Sequence, residues 1–205
     1  MKKGLFISVE GIDGAGKSSH VEFIQECLKE RGFQTIITRE PGGTELGERI
    51  RDLILHENMH RFTELLLLFA SRQELIANVI IPNLEKGVYV IADRFVEASI
   101  AYQGAGRGLG VNKVIQLANM LEPNITTDLT FIFDAPLDVA MARVSKSRNK
   151  DRIESEARVF FQTVQNAYHD IAKSQPERVI IINTDQEKIK TRETILKSLD
   201  LKLTK

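Results

Sequence analysis

Five short runs of the chain are apolar almost without interruption: Leu5–Glu10, Thr35–Arg39, Val88–Asp93, Leu129–Asp134 and Val179–Asn183. They are rich in Ile, Val and Phe and do not alternate, which is the pattern of parallel strands covered on both faces. Between them, apolar residues recur at helical spacing. Val21, Ile24 and Leu28 do so until Gly32, and the longest such stretch, Arg61 to Glu85, carries Leu65–Phe69, Leu75 and Val79–Ile81. Pro82 is expected to kink or interrupt that helix near its end, and Pro136 to open a helix running to about Lys146. Alternating strands and helices predict an α/β chain with a parallel sheet and right-handed crossovers. No internal repeat, low-complexity tract or Gly/Ser linker suggests a domain boundary.

Ligands of such sheets collect at the carboxyl ends of the strands. Four predicted strands deliver polar residues there: Glu10 with the loop after it, Arg39-Glu40-Pro41, Asp93-Arg94, and Asn183-Thr184-Asp185. The first strand runs into VEGIDGAGKSSH, Val9 to His20, which fits G-x-x-x-x-G-K-[ST] at Gly11, Gly16, Lys17 and Ser18. Glycines let successive backbone N–H groups turn inward around phosphate oxygens, and the helix that follows adds its unpaired N–H groups. Gly11, Ile12, Asp13, Gly14, Ala15, Gly16, Lys17, Ser18 and Ser19 therefore form a candidate nucleoside triphosphate site. Lys17 would reach the β- and γ-phosphates and Ser18 would ligate Mg²⁺. VYVIADR, Val88 to Arg94, resembles a Walker-B strand, and Asp93 at its end is the second candidate Mg²⁺ residue.

Arginines give the next indication. Arg39, Arg51, Arg72 and Arg94 sit in or just after predicted elements, and a guanidinium fork suits phosphate. FASRQ, Phe69 to Gln73, places a ring and a guanidinium three residues apart on one helix face. SIAYQGAGRGLG, Ser99 to Gly110, offers Tyr102 and Gln103 beside a flexible Gly-rich turn; Gln pairs with both a donor and an acceptor on a base edge. SKSRNKDRIESE, Ser145 to Glu156, is a charged segment that reads either as a solvated loop or as a mobile lid. A lid would bring Arg148 or Arg152 over a transferring phosphate.

Composition narrows the partners. Lys plus Arg and Asp plus Glu balance at 28 each, which argues against an extended nucleic-acid surface. No apolar run reaches the length of a membrane span, and MKKGLFISVEG lacks a signal-peptide cleavage pattern, so a soluble cytoplasmic protein is expected. The one cysteine, Cys27, falls on the apolar side of the first helix, and the four histidines show no metal-ligand spacing.

The sequence resembles the bacterial thymidylate kinases: EGIDGAGKSS, TREPGGT, FASR, ADRF with SIAYQGAGRG, and DRIE occur in that family's order across essentially the whole chain. The resemblance implies a P-loop NTPase fold, a five-stranded parallel sheet with helices on both faces, in a single nucleotide kinase domain spanning 1–205 with the lid at about 145–156. It also implies a homodimer that phosphorylates dTMP to dTDP with Mg²⁺–ATP. Asp13 would then receive the dTMP 3′-hydroxyl, Arg39, Arg51 and Arg94 would surround its phosphate, and Phe69 would stack on thymine. Arg72 and Gln103 would bond the base edge, Ser99 and Tyr102 would line the sugar, and Arg143, Asp185 and Gln186 would lie near adenine. The implied catalytic set is Lys17, Asp93 and Arg94 with Arg148 or Arg152, since Gly14-Ala15 leave no arginine in the phosphate loop. Phe95 stands where Tyr or His is commoner.

Two rivals differ in testable ways. A GTP-dependent switch needs N-K-x-D, and Asn112-Lys113-Val114-Ile115 and Asn149-Lys150-Asp151-Arg152 both lack the final Asp. Another deoxynucleotide kinase or a deoxynucleoside kinase shares the fold and chemistry, but a nucleoside acceptor would not need Arg39, Arg51 and Arg94 to converge.

Overall fold

A computed structural model describes residues 3–145, 152–153 and 156–203. Its strands are β1 (Phe6–Glu10), β2 (Thr35–Arg39), β3 (Tyr89–Asp93), β4 (Leu129–Asp134) and β5 (Val179–Asn183), within a residue of the expected bounds. All pair in parallel, in the order β2-β3-β1-β4-β5. Every residue of the central strand β1 is buried, and since neighbours along a strand point to opposite faces, both faces of the sheet are covered. Edge strands β2 and β5 are partly exposed.

Helix α1 (Ser18–Glu30) packs on β2 and β3 and touches α9 (Lys188–Leu203), which lies on β5. Helix α8 (Arg158–Ser174) lies against β4, β5 and a π-helical segment, Ile100–Gly106. Helices α2 (Glu45–His56) and α3 (Arg61–Leu75) pack on each other. The short α5 (Val96–Ser99) leads into that π segment, α6 (Val111–Ala118) follows it, and α7 (Leu137–Ser145) starts one residue after Pro136. Cys27 is buried, as its helix face predicted.

Two expectations needed correction. The interruption attributed to Pro82 comes earlier, as a π-helical turn at Ile76–Ile80, after which α4 (Ile81–Glu85) continues with Pro82 in its first turn. A first-turn proline needs no N–H and does not break a helix there. The run Arg61–Glu85 is also a 25-residue helix apolar enough to span a membrane by length and composition. In this fold it is a core helix instead: Leu65, Leu75, Ile76 and Ile80 are fully buried, and so are the charged Glu64 and Arg72.

Candidate active site

The carboxyl end of β1 opens directly into the phosphate loop, which the fold clamps from both sides. Gly14 has φ +79°, and a Cβ there would stand 2.1 Å from the Ala140 carbonyl oxygen, so backbone approaches backbone where no side chain fits. Thr184, just past β5, donates its hydroxyl toward the Ala15 carbonyl at 2.9 Å, and Arg143 of α7 donates to the Gly14 carbonyl at 3.1 Å. Asp185 and Gln186 follow Thr184 and are tied to Asn183, on this same side of the loop. Ser19 lies next to the Nδ1 of His20, whose ring bonds the Gly16 carbonyl.

Lys17 folds back across its own loop. Its ammonium donates to the Gly11 and Ile12 carbonyls at 2.9 and 3.0 Å and lies 3.4 Å from Asp13. Burial and the nearby Arg94 charge lower its pKa. Burial disfavours ionised Asp13, but Arg94 and Lys17 outweigh it and hold this carboxyl well below the ordinary carboxylate range. Asp13 is therefore a fixed anion, able only to accept hydrogen bonds.

Beside the loop, a groove contains Ser18 and Asp93. One carboxylate oxygen of Asp93 is buried with no protein partner. Buried polar atoms are normally satisfied, so this oxygen has lone pairs to offer a cation or a hydrogen-bond donor. One hydroxyl and one carboxylate fit Mg²⁺, which keeps waters and takes its other oxygens from phosphates.

On the other side of Asp13 lies a cavity lined by Asp13, Arg51, Arg72, Arg94, Ser99, Tyr102 and Gln103, seven of the nine residues expected to hold the acceptor. Glu40, Pro41, Leu55, Leu68, Ala98 and Ile153 complete it. Arg94 has φ 75°, the left-handed region that non-glycine residues rarely adopt. Its own N–H donates to the Val9 carbonyl at 3.0 Å, and the next N–H, of Phe95, donates to Glu10 at 2.7 Å. This aims the guanidinium at the Gly11 carbonyl (3.1 Å), Asp13 (2.7 Å) and the Tyr102 hydroxyl (3.3 Å). Arg51 bonds the Pro41 carbonyl at 3.0 Å.

Arg72, only 1% exposed, is gripped from several directions. Its Nε and Nη2 donate to one oxygen of Glu40 at 2.8 and 2.6 Å, and Nη2 also reaches the Phe95 carbonyl and the Ser99 hydroxyl at 3.0 Å each. Its Nη1 is buried without a partner, as is the second Glu40 oxygen. Tyr102 and Gln103 lie within the π segment Ile100–Gly106, which also takes in Gly104 and Gly106 of the Gly-rich stretch expected to be a flexible turn. Its glycines serve close packing: a Cβ on Gly106 would stand 2.7 Å from the Phe160 ring.

Three expected residues lie elsewhere. Arg39 does not line the cavity; it pairs with Glu48 at 2.8 Å in the groove beside Ser18 and Asp93, its side chain 55% exposed. Successive residues at a strand end face opposite ways, and Glu40 takes the cavity side. Phe69 is buried beneath Arg72, whose guanidinium carbon sits 4.6 Å from the ring centre, and it is Leu68 that lines the cavity. Leu68 and Arg72 are four residues apart and so share a helix face. Arg152, expected over the phosphate, donates instead to the Ile54 carbonyl at 3.1 Å and to the buried Glu64. An ionised buried carboxylate captures the nearest guanidinium. Arg148 and most of the proposed lid lie outside the described residues.

Glu10, Glu40 and Glu64 were not foreseen as site supports. All three are buried, and each bonds a residue that lines the cavity or borders one: Glu10 holds Phe95, Glu40 holds Arg72, Glu64 holds Gln103. Their only sequence signal was position, at strand ends for Glu10 and Glu40.

The family model described as Thymidylate kinase matches residues 9–195. A thymidylate kinase of Methylobacillus flagellatus is 46% identical over 194 residues, covering 95% of this chain and 96% of that one. Another, from Cupriavidus taiwanensis, is 44% identical over 199 residues, covering 96% and 98%. Among solved structures, the thymidylate kinase of Ehrlichia chaffeensis superposes with a TM-score of 0.78 at 33% identity, over 97% of this chain and 99% of that one.

Proposed function

The chain belongs to the thymidylate kinase family, and from that premise we propose that it transfers the terminal phosphoryl group of ATP to dTMP, giving dTDP and ADP. The observation that carries this reading is a single cavity holding two arginines and an unpartnered guanidinium nitrogen. Arg51 and Arg94 line it and would meet a phosphate, and Arg72, also in its lining, keeps Nη1 without a protein partner as a donor for a base carbonyl.

The acceptor is already an anion, so no strong base is needed. The residues must hold two polyanions in line and neutralise the charge that develops. The phosphate loop presents its N–H groups to ATP, and Lys17 exchanges its carbonyl partners for phosphoryl oxygens. Ser18 and Asp93 would hold Mg²⁺, which when bound neutralises charge across the β- and γ-phosphates. Arg94 meets the acceptor phosphate while Asp13 accepts the 3′-hydroxyl. Tyr102 and Ser99 crowd the sugar against ribonucleotides, and Leu68 flanks the base. Arg143, Asp185 and Gln186 form the adenine side. Arg148 is the remaining candidate to supply a cation over the transferring phosphate.

Exposed Leu46 and Leu53 on α2 and Phe62 and Leu66 on α3, two helices packed on each other, support a homodimer joined along these helices. Sedimentation at micromolar protein concentration tests that. A cytoplasmic location accords with the soluble reading.

A coupled ADP-release assay across dTMP, dUMP, dCMP, AMP and thymidine tests the reaction. The highest kcat/KM is expected with dTMP; turnover of thymidine in preference to dTMP would replace this reading with a nucleoside kinase.

A further inference from the structure

Glu64 lies in the first turn of α3, 1% exposed, and touches neither groove nor cavity directly. Three groups converge on it. The Gln103 amide nitrogen donates to one carboxylate oxygen at 2.8 Å, Arg107 Nε approaches the same oxygen at 3.5 Å, and Arg152 donates to the other. Burial disfavours the charge, but the bonds from Gln103 and Arg152 and the two guanidinium charges outweigh it, so the carboxyl titrates below its ordinary value.

An ionised carboxylate has lone pairs and no proton, so it can only accept. Gln103 must therefore turn its NH₂ toward Glu64. The NH₂ keeps a second N–H, but with that end held at Glu64 the amide's opposite end, its carbonyl oxygen, is the acceptor it can turn to the cavity. Arg72 Nη1, in the same cavity lining, can only donate. The base-facing wall thus has a fixed polarity of one acceptor and one donor. A 4-oxo pyrimidine offers the complement, an N3–H donor and an O4 acceptor. A 4-amino pyrimidine offers the reverse, a bare N3 and an amino group.

We propose that Glu64 is a specificity-determining positioning residue: by pinning the Gln103 amide in one orientation, it selects 4-oxo over 4-amino pyrimidine nucleotides. This rests on the reading of the cavity as the monophosphate site. Without the anionic acceptor the amide can turn over and offer its NH₂ to N3 of cytosine. Sites that leave buried polar groups unpaired reject a ligand far more strongly than sites that merely fit its shape.

The test is the ratio of kcat/KM for dTMP to that for dCMP, measured on wild type, Glu64→Gln and Glu64→Asp, with thermal melting to confirm folding. Glu64→Gln should lower the ratio at least about tenfold, through a higher KM for dTMP and faster dCMP turnover. Glu64→Asp, which keeps an anionic acceptor, should retain a ratio closer to wild type. A folded Glu64→Gln with an unchanged ratio, both substrates falling together, would show that Glu64 is only structural and overturn the proposal. Should Glu64→Gln fail to fold, binding of N3-methyl-dTMP to the wild-type protein decides. A loss of at least about a hundredfold against dTMP supports an acceptor facing N3, and equal binding rules it out. A wild-type protein inactive on dTMP would instead refute the kinase reading itself, so the two failures are distinct.

Discussion

The phosphate loop and the proposed acceptor cavity are neighbours built in opposite ways. The loop is eight consecutive residues, Gly11 to Ser18, whose triphosphate-facing groups on the proposed reading are backbone N–H, one lysine and the Ser18 hydroxyl. The cavity draws side chains from residues 13 to 153, and several stand where they do because of a buried carboxylate far away in the chain. Glu40 reaches Arg72 across 32 positions, Glu64 reaches Gln103 across 39, and Glu10 holds the Phe95 N–H, next to the cavity's Arg94, across 85. On the proposed reading, triphosphate binding follows from a local turn, whereas acceptor choice follows from tertiary contacts of buried carboxylates. Substitutions in the two regions should accordingly fail differently.

The largest effect is expected from Arg72→Met. It leaves Glu40 buried without its partner, which costs about 3–5 kcal/mol of stability, and it deletes the nitrogen proposed to meet the base. Thermal or urea unfolding should report the loss, and Arg72→Met with Glu40→Gln should recover part of it. Full stability in the single mutant would break the comparison, since the cavity would no longer depend on its ion pairs.

Lys17→Ala should show the opposite profile. Turnover should fall at least about a hundredfold because the lysine neutralises charge on the transferring group, while circular dichroism stays native. Near wild-type kcat in a folded mutant would remove the loop from the chemistry.

Where the two regions meet, Glu10 gives a pH signature. Burial and the neighbouring Glu97 push its carboxyl up to about 8. Its folded pKa lies above the unfolded one, so the folded state binds the extra proton between the two. The contribution is full below about pH 4.5 and is lost as pH rises through about 8. Wild type should therefore lose stability relative to Glu10→Gln between pH 5 and 8, by at least about 1 kcal/mol. Parallel pH profiles for the two proteins would contradict it.

The smallest effect belongs to Arg39. An exposed pair such as Arg39–Glu48 contributes less than about 1 kcal/mol, so Arg39→Ala should barely change stability or the KM for dTMP, whereas Arg51→Ala should raise that KM. Equal KM defects would return Arg39 to the acceptor phosphate.

The same contrast explains what could be read from the sequence. Strand positions, the phosphate loop and Asp93 were legible because each is signalled by adjacent residues. Of the nine residues that the family's motifs assigned to the acceptor, seven line one cavity. Phe69 was misplaced because a ring three residues before Arg72 and a leucine four before it both satisfy helical spacing, and only packing decides which one faces the cavity. Arg39 was misplaced because a strand end gives no sign of which face the next turn will use. Glu64 gave no warning at all, since an acidic residue in a helix's first turn is ordinarily a solvated partner of the helix dipole.

Thr184 carries a consequence for how the protein is made. Its bond to the Ala15 carbonyl joins residues 169 positions apart, and Arg143 joins Gly14 across 129. During synthesis the glycine-rich motif therefore leaves the ribosome long before the walls that hold its shape. A chain halted before β5 would carry every residue of the motif and lack the last clamp on it. Nucleotide retention should accordingly arise late, as one of the final events of maturation, and truncated products should fail to sequester ATP.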